Sequence, residues 1–362
     1  MVSILSFDYL HLTVWRKRAV IYIFSVLMVR SFQIRVLFFC LPMLVLMFLY
    51  IAMDVFRVIY DYQPYYDKSC YIDVNRAYGS TMTYINQNPI YHYDSFIFGN
   101  SRSRFYEIDE WKKYLPESSR CMHFDGSVGS IRGLHDKVVY IDKNGGKLAN
   151  ALLVIDTDLL SNLELTSGHL LVSPPVLSGY SAFLNFHLQH FSAFLHPQFL
   201  IALTDFKLFG IRRPYMDDFF VNWNGCNYIP QYNEFQLIST EQKIKDGVYY
   251  NPTTIRFWRK SQKPGTISSV ILEDKSIAYL QEIKTIFDKH HTSYKIVISP
   301  LYNQIKLNNG VYHKLCEIFL GGTIYDFSGV NKWNVDYHNY YEPSHYRPIV
   351  SAEIMNIIYS QQ

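Results

Sequence analysis

Five consecutive apolar residues, Ala151-Leu152-Leu153-Val154-Ile155, need cover on two sides at once. A strand sends alternate side chains to opposite faces, so an unbroken apolar run leaves no face for water. Strands of this kind sit inside parallel sheets flanked by helices. Shorter strand candidates recur at Phe96-Ile97-Phe98, Cys121-Met122-His123-Phe124, Tyr294-Lys295-Ile296-Val297-Ile298 and Thr323-Ile324-Tyr325-Asp326-Phe327. Between them lie helical patterns at residues 107–115, 131–141, 273–291 and 311–320. In 273–291, Ile277, Leu280, Ile283 and Phe287 share one face. A last apolar-periodic helix carries Ile349, Val350, Ile354, Ile357 and Ile358. This alternation predicts an α/β fold: a mainly parallel sheet of about five strands, helices on both faces and right-handed crossovers.

Two regions depart from that rhythm. Residues 36–53 are apolar and extend toward 59 if Asp54 and Arg57 lie at an interface. A bilayer span needs about 20 such residues. The preceding piece, 19–29, is too short. Arg16-Lys17-Arg18, Arg30 and Arg35 all come first, which predicts a cytoplasmic amino terminus and an exported remainder. Leu49-Tyr50-Ile51-Ala52-Met53 is too bulky for a cleavage site, so the anchor is expected to stay. The expected plan is a cytoplasmic segment 1–35, a single-pass anchor 36–60, a stalk 61–93 and an extracytoplasmic domain 94–362. Met28-Val29-Arg30 offers an alternative start, in which residues 1–27 are absent from the mature protein. The second departure is 161–265. Pro174-Pro175, Gly179, the aromatic stretch 180–199 and Arg212-Arg213-Pro214 predict a mostly helical insertion over the site, with Trp223, Tyr249 and Tyr250 lining an acceptor pocket.

A net charge of +3 without a long basic run gives no electrostatic footprint for nucleic acid. Cys40, Cys70, Cys121, Cys226 and Cys316 include no pair at metal-ligand spacing. The last four suffice for two disulfides in an oxidising compartment, with the pairing open. His187 and His190 stand three apart, but without a carboxylate they read as packing residues. No glycine-rich phosphate cradle appears, and no cofactor is expected.

Chemistry is suggested at two distant turns. Gly99-Asn100-Ser101 follows Phe96-Ile97-Phe98, so the Ser101 hydroxyl stands at the carboxyl end of a strand, where open α/β sheets place their sites. Tyr340-Tyr341-Glu342-Pro343-Ser344-His345-Tyr346-Arg347-Pro348 precedes the last helix and puts a carboxylate three residues before a histidine. A hydroxyl nucleophile needs a base, and the base an orienting group.

These two motifs resemble the SGNH (GDSL-like) hydrolases. More narrowly, the chain is similar to their membrane-anchored bacterial branch, near the teichoic acid D-alanylation accessory protein and the alginate O-acetylation proteins. The resemblance implies a flavodoxin-like SGNH fold with Ser101 as nucleophile, His345 as base and Glu342 as orienting acid, where the family usually has Asp. Asp336 is the substitute acid and Ser103 a weaker nucleophile. The oxyanion would be held by backbone at Ser101 and by Gly129 or Ser127, in the turn Asp125-Gly126-Ser127-Val128-Gly129-Ser130. The family's third-block Asn is replaced by Asp156-Thr157-Asp158, leaving the Thr157 hydroxyl to contribute. Arg102 and Arg104 are read as binders of a substrate carboxylate or phosphate, or as partners of Asp94 and Glu107, the latter preferred for Arg104. The implied function is an esterase or O-acyltransferase acting on acyl esters of an envelope polysaccharide outside the cytoplasmic membrane. The alternatives are an inactive accessory protein docked on a membrane acyltransferase, or a plain flavodoxin-like binding domain. Expected partners are an acylated polysaccharide, the bilayer and a membrane acyltransferase.

Overall fold

The computed structural model describes residues 5–67, 69–221, 225–260, 263 and 265–360. Trp223, expected in an acceptor pocket, lies outside the described residues. The chain divides into two compact units, Met1–Asp54 and Val55–Gln362.

The first unit holds one long helix, α1 (Leu5–Met53). Within it, Met28–Met53 is long and apolar enough to cross a membrane. The expected boundary at residue 35 has no counterpart, because the helix runs through it unbroken. The expected extension past Met53 is also corrected. Asp54 and Arg57 take positive φ angles of 34° and 54°, which end the helix. Val55, Phe56 and Val58 are buried. The Arg57 guanidinium donates to the Tyr65 carbonyl and, at 2.7 Å, to Asp67.

The second unit is built on a five-stranded sheet. Its strands are β1 (Ser95–Gly99), β2 (Cys121–Asp125), β3 (Asn150–Ile155), β6 (Ser293–Ile298) and β7 (Ile324–Asp326). Their order is β2-β1-β3-β6-β7, and every pairing is parallel. Two short antiparallel pairs join β4 (Asn227–Ile229) to β5 (Glu234–Gln236) and β8 (Tyr340–Glu342) to β9 (His345–Tyr346). The helices after α1 are α2 (Arg76–Tyr91), α3 (Ile108–Trp111), α4 (Ile131–Lys143) and α5 (Thr157–Ser161). The insertion adds α6 (Pro175–Ser178), α7 (Phe183–Phe194), α8 (Pro197–Phe209), α9 (Ile238–Lys245) and α10 (Pro252–Ile255). Last come α11 (Asp274–His290), α12 (Asn309–Ile318) and α13 (Pro348–Tyr359).

The two faces of the sheet explain its uninterrupted apolar strands. Phe96, Phe98, Phe124, Leu153 and Ile296 pack with Leu134, Val138, Ile283 and Phe287 from α4 and α11. Ile97, Leu152, Val154 and Val297 face the other way, onto Tyr106, Trp111, Ile354 and Ile358. Each large side chain buried this way contributes about 1.5–3 kcal/mol.

Residues 61–93 are part of this body, which corrects the expected stalk. Tyr65, Tyr66, Cys70 and Val74 form a buried cluster, and α2 packs along β2. A helix buried through Gly79, Ser80, Thr81 and Thr83 shows no apolar period. Gly79 is required there, since a Cβ would come within 2.3 Å of the Tyr66 hydroxyl. Arg76 at its start makes a buried ion pair with Asp125 at 2.8 Å. The insertion is largely helical, as its composition suggests, but also contains the β4–β5 pair. His190 is buried, with Nδ1 2.8 Å from the Phe186 carbonyl. The five cysteines are free thiols, so the two disulfides are not formed.

Candidate active site

β1 must stop where it does. At Gly99 (φ +157°) a Cβ would lie 2.5 Å from the Val154 carbonyl of the neighbouring strand, so only glycine fits. Asn100 then caps a short 3-10 helix, Ser101–Phe105, accepting the Arg102 N–H at 3.0 Å. Ser101 opens that turn at the carboxyl rim of the sheet.

His345 arrives on the β8–β9 hairpin, where the sequence shows only a turn. Glu342 and His345 are paired residues across its tip, Pro343-Ser344. Ser101 Oγ lies 2.7 Å from His345 Nε2. Glu342 Oε1 bonds the other ring nitrogen, Nδ1, while Oε2 accepts the Ser344 N–H at 2.7 Å. The ring is held edge-on by Phe105, with centroids 5.5 Å apart. Partial burial pushes the Glu342 carboxyl up. The hydrogen bond and charge of His345, the Ser344 N–H and Arg102 outweigh it and hold the carboxyl below its usual range. The extra methylene of Glu is thus accommodated by the direct pairing of the two residues.

Other expected site residues are placed elsewhere. Asp336 accepts from the backbone N–H of His338 and pairs with its ring at 2.7 Å, out in solvent, so it does not orient His345. Ser103 donates its hydroxyl to the Asn100 carbonyl at 2.7 Å and is buried. Arg102 is not free for a substrate. Its guanidinium meets Asp156 at 2.9 Å and Asp158 at 2.7 Å, and its Nε donates to the Ser344 carbonyl at 3.0 Å. Neither Arg102 nor Arg104 pairs with Asp94 or Glu107. Asp94 instead accepts from Ser95 and the Arg120 N–H.

The residues expected to serve an oxyanion are also placed differently. The Ser101 N–H donates to the Ser127 carbonyl at 2.9 Å and is committed to that bond. Ser127 thereby acts as an acceptor that fixes the turn bearing Ser101. Gly129 (φ +77°) lies against Asn100, where a Cβ would be 3.0 Å from the Asn100 Cβ. Among the described residues no acceptor takes the Gly129 N–H. Thr157 starts α5, is buried, and gives its carbonyl to Ser161. No hydrogen bond joins it to Ser101 or His345 among the described residues.

Sequence reading missed Asp156 as an organiser. Its Oδ2 accepts from Asn100 Nδ2 at 2.7 Å and from Arg102, and its Oδ1 caps α5 through the Leu159 N–H. A carboxylate at the end of β3 was visible, but its partners are distant in the chain. Lys137 was also missed. It is buried beside the turn that begins at Asp125, donating to the Asp125 carbonyl at 2.6 Å, and burial pushes its amine down to about 7. The Tyr249 and Tyr250 hydroxyls donate to the Tyr341 and Tyr340 carbonyls, both at 2.9 Å, and so brace the hairpin that bears His345.

The arrangement can take a proton from a serine hydroxyl, hold the resulting imidazolium against a carboxylate, and return the proton to a leaving group. No protein-family model matches this chain, and no curated protein matches it significantly.

Proposed function

We propose that this chain is a membrane-anchored, extracytoplasmic serine esterase or O-acyltransferase of the SGNH type, acting on acyl esters of an envelope or exported polysaccharide. The observation that carries the reading is Ser101 Oγ at 2.7 Å from His345 Nε2, with Glu342 on the opposite ring nitrogen. Ser, acid and His occur in the same chain order as in the family the motifs resemble. The membrane term rests on the span Met28–Met53 and on the basic residues ahead of it.

In this reading Ser101 Oγ attacks the ester carbonyl as His345 takes its proton. The Gly129 N–H is the donor available to the tetrahedral oxyanion. Collapse expels the sugar hydroxyl, which leaves with the His345 proton. The acyl group stays on Ser101 as an ester. Water or a second hydroxyl then gives its proton to His345 and attacks that ester; the Oγ–acyl bond breaks and His345 passes the proton to Oγ, which regenerates the Ser101 hydroxyl. Water yields hydrolysis; a sugar hydroxyl yields transfer.

The test is labelling of the detergent-solubilised full chain by a fluorophosphonate, together with p-nitrophenyl acetate turnover. Both are expected in the wild type and absent in Ser101→Ala.

A second reading has its own support. The Ser101 N–H is spent on Ser127, and Asp156 stands where the family has an Asn donor. Two donors are thereby lost to the oxyanion, which favours an accessory protein docked on a membrane acyltransferase. A folded wild-type chain that neither labels nor turns over would establish that reading over the first.

A further inference from the structure

We propose that Arg104 forms an anion subsite beside Ser101, which takes a carboxylate or phosphate group carried by the polysaccharide. The assignment of that anion to a substrate rests on the esterase reading; the subsite itself does not.

Ser101 and Arg104 are three residues apart on one 3-10 turn. Residues at that spacing are neighbours on a 3-10 helix; the Ser101 hydroxyl meets His345 Nε2 at 2.7 Å, and the Arg104 guanidinium lies over the Phe235 ring. Arg104 enters a cavity of about 180 Å³ whose wall includes Asp73, Arg76, Ser127, Cys226 and Phe235. Ser127 is the residue whose carbonyl holds the Ser101 N–H, so the cavity adjoins the nucleophile turn.

The two arginines of this wall differ in one respect. Arg76 is satisfied: it pairs with Asp125 at 2.8 Å and donates to the Asn233 carbonyl at 2.7 Å. Arg104 makes no hydrogen bond or ion pair with any described residue, and its buried Nε has no partner. The Phe235 ring lies 5.7 Å from its guanidinium carbon. A guanidinium is a rigid fork of five donors that matches the paired oxygens of a carboxylate or phosphate. A buried polar group left without acceptors is costly, and a ligand that supplies them recovers that cost. Burial first, and then the charge of Arg76, hold Arg104 below the usual arginine range, and an incoming anion relieves both. Asp73 is the one carboxylate among the described lining residues, and it makes no ion pair with Arg104. The Asp125 carboxylate, already paired with Arg76, also acts on Arg104 through its charge.

The experiment uses full-length Ser101→Ala protein in detergent, so that binding is read without turnover. Methyl glucuronoside, the phosphodiester glycerophosphoglycerol and uncharged methyl glucoside are titrated by calorimetry. Binding of the glucuronoside identifies a uronic acid as the source of the anion, and binding of glycerophosphoglycerol a phosphodiester backbone. Methyl glucoside is expected not to bind. Arg104→Gln is expected to weaken the anion by about tenfold or more, and Arg104→Lys by less, since Lys keeps the charge without the fork. Cys226→Phe narrows the cavity from another wall and is expected to weaken binding with Arg104 intact. Equal binding of the neutral sugar, binding unchanged in Arg104→Gln, or no binding of either anion would overturn the subsite. Anion binding by Ser101→Ala, when the wild-type chain takes no fluorophosphonate, keeps the subsite and removes only the esterase reading.

Discussion

Arg102 Nε donates to the Ser344 carbonyl at 3.0 Å, across 242 residues of chain. The same guanidinium reaches Asp156 and Asp158, so one side chain joins the turn after β1, the turn after β3 and the tip of the β8–β9 hairpin. Its neighbours Ser101 and His345 thereby owe their approach to an ion pair that touches neither.

Arg102→Met is therefore expected to reduce kcat for p-nitrophenyl acetate more than it changes KM. It also leaves the buried Asp156 carboxylate uncompensated, at a cost of about 3–5 kcal/mol. Adding Asp156→Asn should recover most of the stability, measured by urea unfolding, without recovering kcat. Full recovery of kcat in the double variant would remove the positioning role.

Glu342→Gln is expected to lower kcat by about 10³–10⁴-fold, because an amide no longer stabilises the imidazolium. Glu342→Asp should lose less, since the hairpin pairing of residues 342 and 345 keeps the charge close. Asp336→Asn should leave kcat unchanged, as its partner is His338. Steady-state kinetics on the three variants would expose an error if Asp336→Asn proved the most damaging.

Gly129→Ala is expected to lower kcat about 10²-fold with a modest loss of stability. The added Cβ would meet Asn100 Cβ at 3.0 Å and Leu159 Cδ1 at 3.1 Å, and Ala resists a φ of +77°. Single-turnover acylation measures the effect at the step where the oxyanion forms.

Stability should rise with pH above neutrality because of Lys137. Its folded value is about 7 against an ordinary 10.5. Between these values the unfolded chain binds more protons than the folded one, so this contribution is complete above 10.5 and is lost as pH falls toward 7. The slope is at most about 1.4 kcal/mol per pH unit. Urea midpoints at increasing pH should climb in the wild type and stay level in Lys137→Met.

The sheet was legible because its strands are buried on both faces, and such runs announce themselves without partners. β3 and β6 follow their apolar stretches closely. α2 was not legible, since Gly79, Ser80 and Thr83 bury it through size and hydrogen bonding rather than through apolar spacing. At the candidate site, Ser101 and His345 stood out because each ends or precedes a regular element. The capture of the Ser101 N–H by Ser127 was invisible, since backbone bonds across loops leave no mark on residue type. The same holds for Arg102. Its three acceptors sit on two distant loops, and only the folded chain shows that its donors are used.

Ser101 and His345 are separated by 244 positions. A nascent chain thus carries the proposed nucleophile long before the ribosome has made the proposed base. In that reading, a polypeptide cut short ahead of the β8–β9 hairpin would present the Ser101 hydroxyl with nothing to take its proton. Acyl chemistry would then have to wait until the hairpin is made and seated against the turn after β1.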